Sequence, residues 1–278
     1  MRDRLLRDGF LVLAVVFVAL RLFAIEPWDD SVDAYAYWST RDGVLYEAAL
    51  TGRIGSYLYS PAFAQAMTPL VWLPWPLFAA TWTALLLAVH RLLAGPRLAL
   101  ALLLFIPIPF EIVSGNVHLL YAAVLVYGLR YPALWALPLL TKVTPGIGLI
   151  WFLVRREWRS LGIALGATAA IAAVSFVLAP AEWSRWLELL RADAATPLQT
   201  VGWHLPVPLM LRLPIAAAVV AWGGLTNRPW TLPVATVLAL PVLWLNGLAI
   251  LVALVPLLAS RPRSVARPVA GAPVGAPA

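Results

Sequence analysis

The chain has no cysteine, three histidines and a single lysine. The absence of cysteine excludes disulfide bonds, thiol nucleophiles and cysteine-ligated metals. The three histidines, His90, His118 and His204, lack the close spacing of a zinc-binding motif, so no metal ligands are predicted.

Charged residues are also scarce: they form 12% of the 278 residues, whereas hydrophobic residues form 62%. A soluble domain carries about a quarter charged residues, so this chain has too little polar surface to cover itself in water. The net charge of +7 comes from arginines at the ends of apolar runs, without a basic stripe mixed with aromatics, which argues against a nucleic-acid partner. These features predict an all-α integral membrane protein in contact with membrane lipids.

Apolar runs recur along the chain at lengths near the ~20 residues that a bilayer-spanning helix needs. They occupy residues 10–25, 61–75, 77–93, 98–110, 117–129, 132–154, 161–179, 205–225 and 230–258. Several are short or contain internal prolines, so we expect a polytopic bundle of about 8–10 spanning or partly spanning helices around a cavity. We assign residues 1–260 to one transmembrane domain and predict that the proline-rich tail, 261–278, is disordered.

Arginines indicate the orientation of the bundle. They occur singly or in short clusters at residues 2–7, 130, 155–159, 228 and 261–267. The positive-inside rule puts these positions, the N-terminus and the C-terminal tail in the cytoplasm. This orientation requires residues 61–75 to form a partial or re-entrant element. It leaves two polar stretches, 26–60 and 180–204, as outer loops of a multi-pass plasma-membrane protein.

The first outer loop carries Asp29, Asp30 and Asp33 close to Tyr37 and Trp38. A carboxylate can abstract a proton from a hydroxyl group, and aromatic faces stack against sugars. We predict that Asp33 is a catalytic base, because an aspartate with an ordinary pKa near ~3.9 is ionised at neutral pH. The alternative is a solvated acidic loop beside an interfacial aromatic belt.

Lys142 lies between two short apolar segments, just before Thr144-Pro145-Gly146. A cation at membrane depth is a candidate functional residue, and a lysine at a helix break suits a phosphate group. The alternative is a structural lysine that snorkels or binds carbonyl oxygens, with Glu111 as its ion-pair partner. His204, at the end of the second outer loop, is either a substrate-binding residue or one half of an interfacial Trp/His pair.

Several groups of residues carry a resemblance to a known family. They are Asp33-Ala-Tyr-Ala-Tyr37-Trp38, Gly43-Val-Leu-Tyr46, Tyr57-Leu-Tyr59-Ser60-Pro61, Gly115-Asn116-Val-His118-Leu-Leu120, and Lys142-Val-Thr-Pro145 followed by Arg155-Arg156-Glu-Trp-Arg159. The chain resembles the GT-C glycosyltransferases, most closely the polyprenol-phosphate-mannose-dependent mannosyltransferases of glycosyltransferase family 87. Ser60, Asn116 and His118 stand where the family usually has proline, glutamine and asparagine.

The resemblance implies a GT-C-like helical bundle with its active site in the large first outer loop. It implies transfer of a sugar, mannose by analogy, from a polyprenyl-phosphate donor to a glycolipid or polysaccharide acceptor of the cell envelope, with inversion. Asp33 is then the base, and the substrate-binding residues are Asp29, Asp30, Tyr37, Tyr59, Asn116, His118, Lys142 and His204. No cofactor is expected, and a divalent metal is neither required nor excluded.

Two alternatives stay open. A non-catalytic or degenerate member of the family is compatible with the short chain and with the substitutions at Asn116 and His118. A transporter or lipid flippase would also have broken helices and a cavity. It would place ionisable residues near the bilayer midplane within inverted repeats, whereas the carboxylates here gather in one loop.

Overall fold

The computed structural model describes residues 1–23, 31–43, 45–47, 49–51, 55–195 and 204–259. Within these ranges the chain forms thirteen α-helices and four short 3₁₀ helices, and it contains no β-strand beyond one isolated bridge. The predicted all-α fold is confirmed. The predicted substrate-binding residues Asp29 and Asp30, and the predicted tail, lie outside the described residues.

We number the α-helices in chain order. They are α1 (Arg2–Leu22), α2 (Val32–Trp38), α3 (Pro61–Val71), α4 (Trp75–Leu102), α5 (Pro107–Ser114), α6 (His118–Tyr127), α7 (Ala136–Thr141), α8 (Ile150–Val154), α9 (Trp158–Leu178), α10 (Pro180–Ala195), α11 (Leu209–Leu225), α12 (Thr231–Leu238) and α13 (Leu254–Ala259). The 3₁₀ helices are Ser39–Asp42, Pro132–Trp135, Thr144–Leu149 and Leu245–Ala253.

Two of the described helices, α4 and α9, are long and apolar enough to cross a membrane. Helices α5 and α6 satisfy the same criterion only together, and they are bent by 112° at the break between them. Further apolar segments are shorter: Pro132–Thr141, Thr144–Val154, Leu209–Leu225 and Leu245–Ala259. Helix α3, with 11 residues, extends about 16 Å at ~1.5 Å per residue, which is short of the bilayer core.

Helix α4 is interrupted between the apolar runs predicted at 77–93 and 98–110. Gly95 has φ +73° and ψ 172°, which are not helical, so two helical stretches meet at a kink just before Pro96. One predicted loop differs from the sequence prediction. The second outer loop is mostly helical: α10 packs Trp186 and Leu189 into a small cluster with Ala49, and the Trp186 indole donates to the Leu58 carbonyl at 3.2 Å. Residues of the two predicted outer loops therefore pack together.

The core lies where the broken helices meet. Helix α1 packs along α4, while α5 and α6 pack against the 3₁₀ helix Leu245–Ala253. The side chains fully buried there are mainly aliphatic and include Leu86, Ile108, Ile112, Leu119, Leu125, Leu232 and Leu240. Polar side chains are also buried in this region, and these form the candidate site.

Candidate active site

Asp33 lies in the first turn of α2, a seven-residue helix. Two side-chain hydrogen bonds hold this helix against the membrane bundle. The Ser31 hydroxyl donates to the Val113 carbonyl at the end of α5 (2.8 Å), and the Trp38 indole donates to the Leu73 carbonyl (2.8 Å). The position of Asp33 is therefore set by the packed helices and not by a free loop.

Helix α2 packs directly against the break between α5 and α6. Gly115 at this break has φ +74°, and a Cβ atom built on it would lie 2.5 Å from the Cβ of Ala34. The Trp82 indole donates to the Gly115 carbonyl at 2.7 Å. Glycine is required here on two grounds, since it tolerates the left-handed conformation and leaves room for Ala34 beside Asp33.

Asn116, the residue after this glycine, links three parts of the site. Its side-chain oxygen accepts hydrogen bonds from the Val117 backbone N–H (2.8 Å) and from the Lys142 amine (3.1 Å). The Asn116 side chain also lies close enough to the carboxyl group of Asp33 to lower its pKa. One amide therefore binds the only lysine of the chain and lies near the predicted base.

Lys142 is presented by a tight turn at the end of α7. Val143 has φ +50° and ψ −60°, and the Thr144 N–H donates to the Lys142 carbonyl at 2.5 Å. This three-residue γ-turn with positive φ is rare and costs on the order of 1–3 kcal/mol at a β-branched residue. After this turn, the Lys142 amine lies 2.9 Å from His118 Nε2. Backbone strain of the kind found at Val143 is common at functional sites.

Glu111 lies behind His118, with its side chain fully buried. One carboxylate oxygen is 2.9 Å from His118 Nδ1, and the other accepts the backbone N–H groups of His118 (2.6 Å) and Leu119 (3.4 Å). The side chains of Glu111, His118 and Lys142 thus form a continuous row. Glu111 reaches Lys142 through His118, and not as the direct ion-pair partner suggested by the sequence.

Aromatic residues line the side of the site near α3. The Tyr37 and Tyr59 hydroxyls are 3.0 Å apart, and the Lys142 amine lies 5.8 Å from the Tyr59 ring centroid. Ser60 follows, and its hydroxyl donates to the Leu140 carbonyl at 2.5 Å while its backbone N–H donates to the same oxygen at 3.3 Å. Ser60 therefore holds the start of α3 against α7, which ends just before Lys142.

The environment of Asp33 raises the pKa of its carboxyl group above the ordinary aspartate value. Burial is the main cause, because it disfavours the charged form. The Lys142 charge and the polar side chain of Asn116 act in the opposite direction and limit the increase. A raised pKa makes Asp33 a stronger base than a solvated aspartate, provided that the pH keeps it ionised.

The structure brings together Asp33, Asn116, His118 and Lys142, with Tyr37 and Tyr59 beside them, and we call these six residues the polar cluster. The His204 ring packs on Trp244 with the centroids 5.6 Å apart. That contact resembles the Trp/His pair considered as an alternative, although with a different tryptophan from the neighbouring Trp203.

Two further polar residues, Arg212 and Asn246, are buried within the helical bundle. The Arg212 guanidinium donates to four backbone carbonyls, those of Val207, Leu238, Leu240 and Pro241, at 2.7–3.0 Å. Asn246 donates to the Ser114 hydroxyl at 3.2 Å behind Glu111. The sequence could have indicated Asn246, because an asparagine in the apolar segment Leu245–Ala253 needs a hydrogen-bond partner when it is buried.

A separate cavity of about 300 Å³ lies on the other face of α3. Its lining includes Arg41, Gln65, Trp72 and Glu182, and none of the polar cluster's side chains contributes to it. The cavity is therefore distinct from the cluster around Asp33.

The fold and site together define an all-α membrane protein in which a carboxylate and a lysine meet at the break between two helices. The sequence profile of glycosyltransferase family 87 matches residues 57–275. The chain belongs to this family and is therefore a glycosyltransferase. The match includes Asn116, His118 and Lys142 and begins after Asp33. No curated protein and no solved structure matches the chain.

Proposed function

We propose that this glycosyltransferase moves a sugar, mannose as first candidate, from a polyprenyl-phosphate donor to a glycolipid or polysaccharide acceptor. The transfer takes place on the non-cytoplasmic face of the plasma membrane, with the N-terminus and the tail in the cytoplasm. The observation that carries the proposal is the proximity of Asp33 to Lys142, whose charge lowers the pKa of the Asp33 carboxyl group. A base for the acceptor and a cation for the leaving phosphate lie in one cluster, with Asn116 bonded to the lysine.

The reaction follows from these groups. Asp33 removes the proton from an acceptor hydroxyl as the hydroxyl oxygen attacks the anomeric carbon of the donor sugar. The bond from that carbon to the phosphate oxygen breaks, and the electron pair leaves with the polyprenyl phosphate. Lys142 stabilises the negative charge on the phosphate, as fixed cations and donors do where charge develops in a transition state. A single displacement inverts the anomeric configuration.

The remaining predicted residues have supporting roles in this proposal. Tyr37 and Tyr59 offer ring faces and hydroxyls to the sugar, since amphipathic aromatic rings stack on apolar sugar faces. Asp29 and Asp30, together with His204, are retained as candidates for acceptor binding. No step requires a metal ion, because the lysine supplies the positive charge that the leaving group needs.

The proposed function explains the site better than its two alternatives do. Family membership supports an enzyme over a transporter. A degenerate member would have no need to keep a carboxylate near the chain's only lysine, or a strained turn that holds the lysine against Asn116. Transfer activity decides between an active and a degenerate member.

The experiment measures transfer of radiolabelled sugar from polyprenyl-phosphate donors to membrane acceptors by the purified, reconstituted protein. Donors that carry mannose, glucose, galactose or arabinose are compared. Asp33→Asn keeps the shape of the side chain and removes the base, and Asp42→Asn is the matched control. Asp42 is an exposed carboxylate nine residues further along, in contact with Arg41 and not with the polar cluster.

We expect transfer from the mannose donor by wild type and by Asp42→Asn, and loss of about 10²–10⁴-fold in rate for Asp33→Asn, the usual contribution of a general base. Transfer from another sugar donor alone would retain the enzyme and change its substrate. Equal rates for Asp33→Asn and wild type would refute the role of Asp33. No transfer from any donor would favour the degenerate member.

A further inference from the structure

We propose that Glu111 is a positioning residue that holds His118 in one tautomer, and that this tautomer fixes the direction of the Lys142 amine. The part of the proposal that concerns the tautomer rests on geometry alone. The part that concerns catalysis rests on the proposed function, since it assigns Lys142 to the donor phosphate. Neither Glu111 nor the protonation of His118 has a role in the reaction described above.

The contacts of Glu111 are those of a hydrogen-bond acceptor, and from them we assign its carboxyl group as ionised. The first N–H groups of an α-helix have no acceptor within the helix, and they form its positive end. Helix α6 begins at His118, and Glu111 accepts the N–H groups of His118 and Leu119 with one oxygen. The other oxygen faces His118 Nδ1 at 2.9 Å. A carboxylate with backbone donors on one oxygen and a ring nitrogen on the other is best satisfied when ionised.

These contacts determine the proton positions on His118. An ionised carboxylate only accepts hydrogen bonds, so Nδ1 must carry a hydrogen. An ammonium group only donates, so Nε2, 2.9 Å from the Lys142 amine, must carry a lone pair. The neutral ring with its hydrogen on Nδ1 satisfies both neighbours. The opposite tautomer fails at both ends, and a doubly protonated ring would place an N–H against the ammonium.

The amine of Lys142 is directed as a result. Two of its three N–H groups are used, one by His118 Nε2 and one by the Asn116 side-chain oxygen at 3.1 Å. The third is left for another acceptor, which the proposed function identifies as an oxygen of the donor phosphate. A lysine side chain is long and flexible, so two fixed hydrogen bonds remove most of its freedom. Outer-shell partners of this kind typically change activity by about 10–100-fold when they are removed.

Glu111→Gln tests the inference because it conserves volume and reverses one hydrogen bond. The amide oxygen of glutamine can accept the backbone N–H of His118, but its NH₂ group then faces Nδ1 and donates to it. The ring must move its hydrogen to Nε2, where it meets the ammonium of Lys142. Ser114→Ala is the matched control: Ser114 is buried beside Glu111, bonds its backbone carbonyl and does not contact His118.

The tautomer is measured by ¹⁵N NMR of the full-length protein, labelled at histidine and reconstituted in lipid. The chain has only three histidines, and the His118 signals are assigned by their loss in His118→Gln. We expect Nδ1–H with unprotonated Nε2 in wild type and in Ser114→Ala, and Nε2–H in Glu111→Gln. Nε2–H or a doubly protonated ring in wild type would overturn the inference. An unchanged tautomer in Glu111→Gln would also overturn it.

The wild-type spectrum decides the tautomer even if Glu111→Gln fails to fold. Where the variant folds, sugar-transfer kinetics give a second result. We expect a 10–100-fold lower kcat/KM for the donor and little change in the KM of the acceptor. A fall in both, or in neither, would contradict the positioning role. Because the NMR measurement needs no substrate, failure of the proposed function and failure of the tautomer assignment are distinguishable.

Discussion

Replacing Lys142 by methionine tests how strongly this residue and Asp33 depend on each other. The amine hydrogen-bonds His118 and Asn116, and its charge opposes the rise that burial imposes on the pKa of Asp33. The substitution keeps an unbranched side chain of similar length and removes the charge. It should affect both the phosphate leaving group and the protonation of the base.

The direction of the pH effect follows from the chemistry of the base. Asp33 accepts a proton only when it is ionised, so activity falls on the acid side as the pH drops through its pKa. The Lys142 charge holds that pKa down, and its loss raises the pKa further. An opposite charge within about 4–6 Å shifts a carboxyl pKa by roughly 1–3 units. We therefore expect the acid limb to move upward by about one pH unit or more.

The loss of phosphate stabilisation acts on the rate at every pH. Removal of one fixed donor from a site of developing negative charge typically costs about 10²–10³-fold in kcat. The assay is the pH dependence of kcat/KM for sugar transfer by wild type, Lys142→Met and Lys142→Arg. Arginine keeps the charge and should leave the acid limb close to that of wild type. A reduced rate with an unmoved acid limb in Lys142→Met would refute the electrostatic link to Asp33.

The remaining predictions concern the packing that supports the site, and unfolding in mixed detergent micelles measures each of them. Gly115→Ala should lose most activity. Its left-handed backbone should cost about 1–2 kcal/mol of stability, and the clash with Ala34 should add to that cost. The double variant with Ala34→Gly should recover only the part due to the clash, and full recovery would contradict the backbone argument. Ser60→Ala should cost about 1 kcal/mol through the lost hydroxyl bond to Leu140. Ser60→Pro fits the observed φ of −62° but removes both donors, so it should be less stable than Ser60→Ala, and the reverse order would refute the role of the backbone N–H. Arg212→Met should cost about 3 kcal/mol because four backbone carbonyls, one of them buried, lose a charged donor, and a near-neutral effect would show that they find other partners.

Composition and charge pattern were sufficient to predict the class of fold. An all-α membrane bundle follows from the shortage of charge and the repeated apolar runs, and the described helices agree with it. Local structure was less predictable. The second outer loop was expected as a loop, but α10 forms within it and packs Trp186 and Leu189 against Ala49. Such tertiary packing is not visible in the sequence.

Part of the candidate site was also predictable. Asp33 was identified as a carboxylate beside aromatic residues in the first outer loop, and Lys142 was identified because an isolated charge in an apolar sequence is costly and needs a function or a partner. Their meeting at Gly115 was not visible in the sequence, because it depends on a 112° bend between two helices.

The partners of other polar residues could not be predicted for a similar reason. Arg212 is satisfied by four backbone carbonyls, and carbonyls carry no sequence signal. Glu111 lies beside His118 because two backbone N–H groups at the start of α6 donate hydrogen bonds to its carboxylate. His204 looked suitable by type and loop position, but its described ring contact is with Trp244.

The most direct test of the central claim is the initial rate of mannose transfer by the reconstituted protein from polyprenyl-phosphate mannose, with wild type and Asp33→Asn compared at equal amounts of folded protein. We expect measurable transfer with inverted anomeric configuration for wild type, and a loss of at least about 10²-fold for the variant. Transfer by Asp33→Asn at the wild-type rate, or a product with retained configuration, would contradict the assignment of Asp33 as the base of a single displacement.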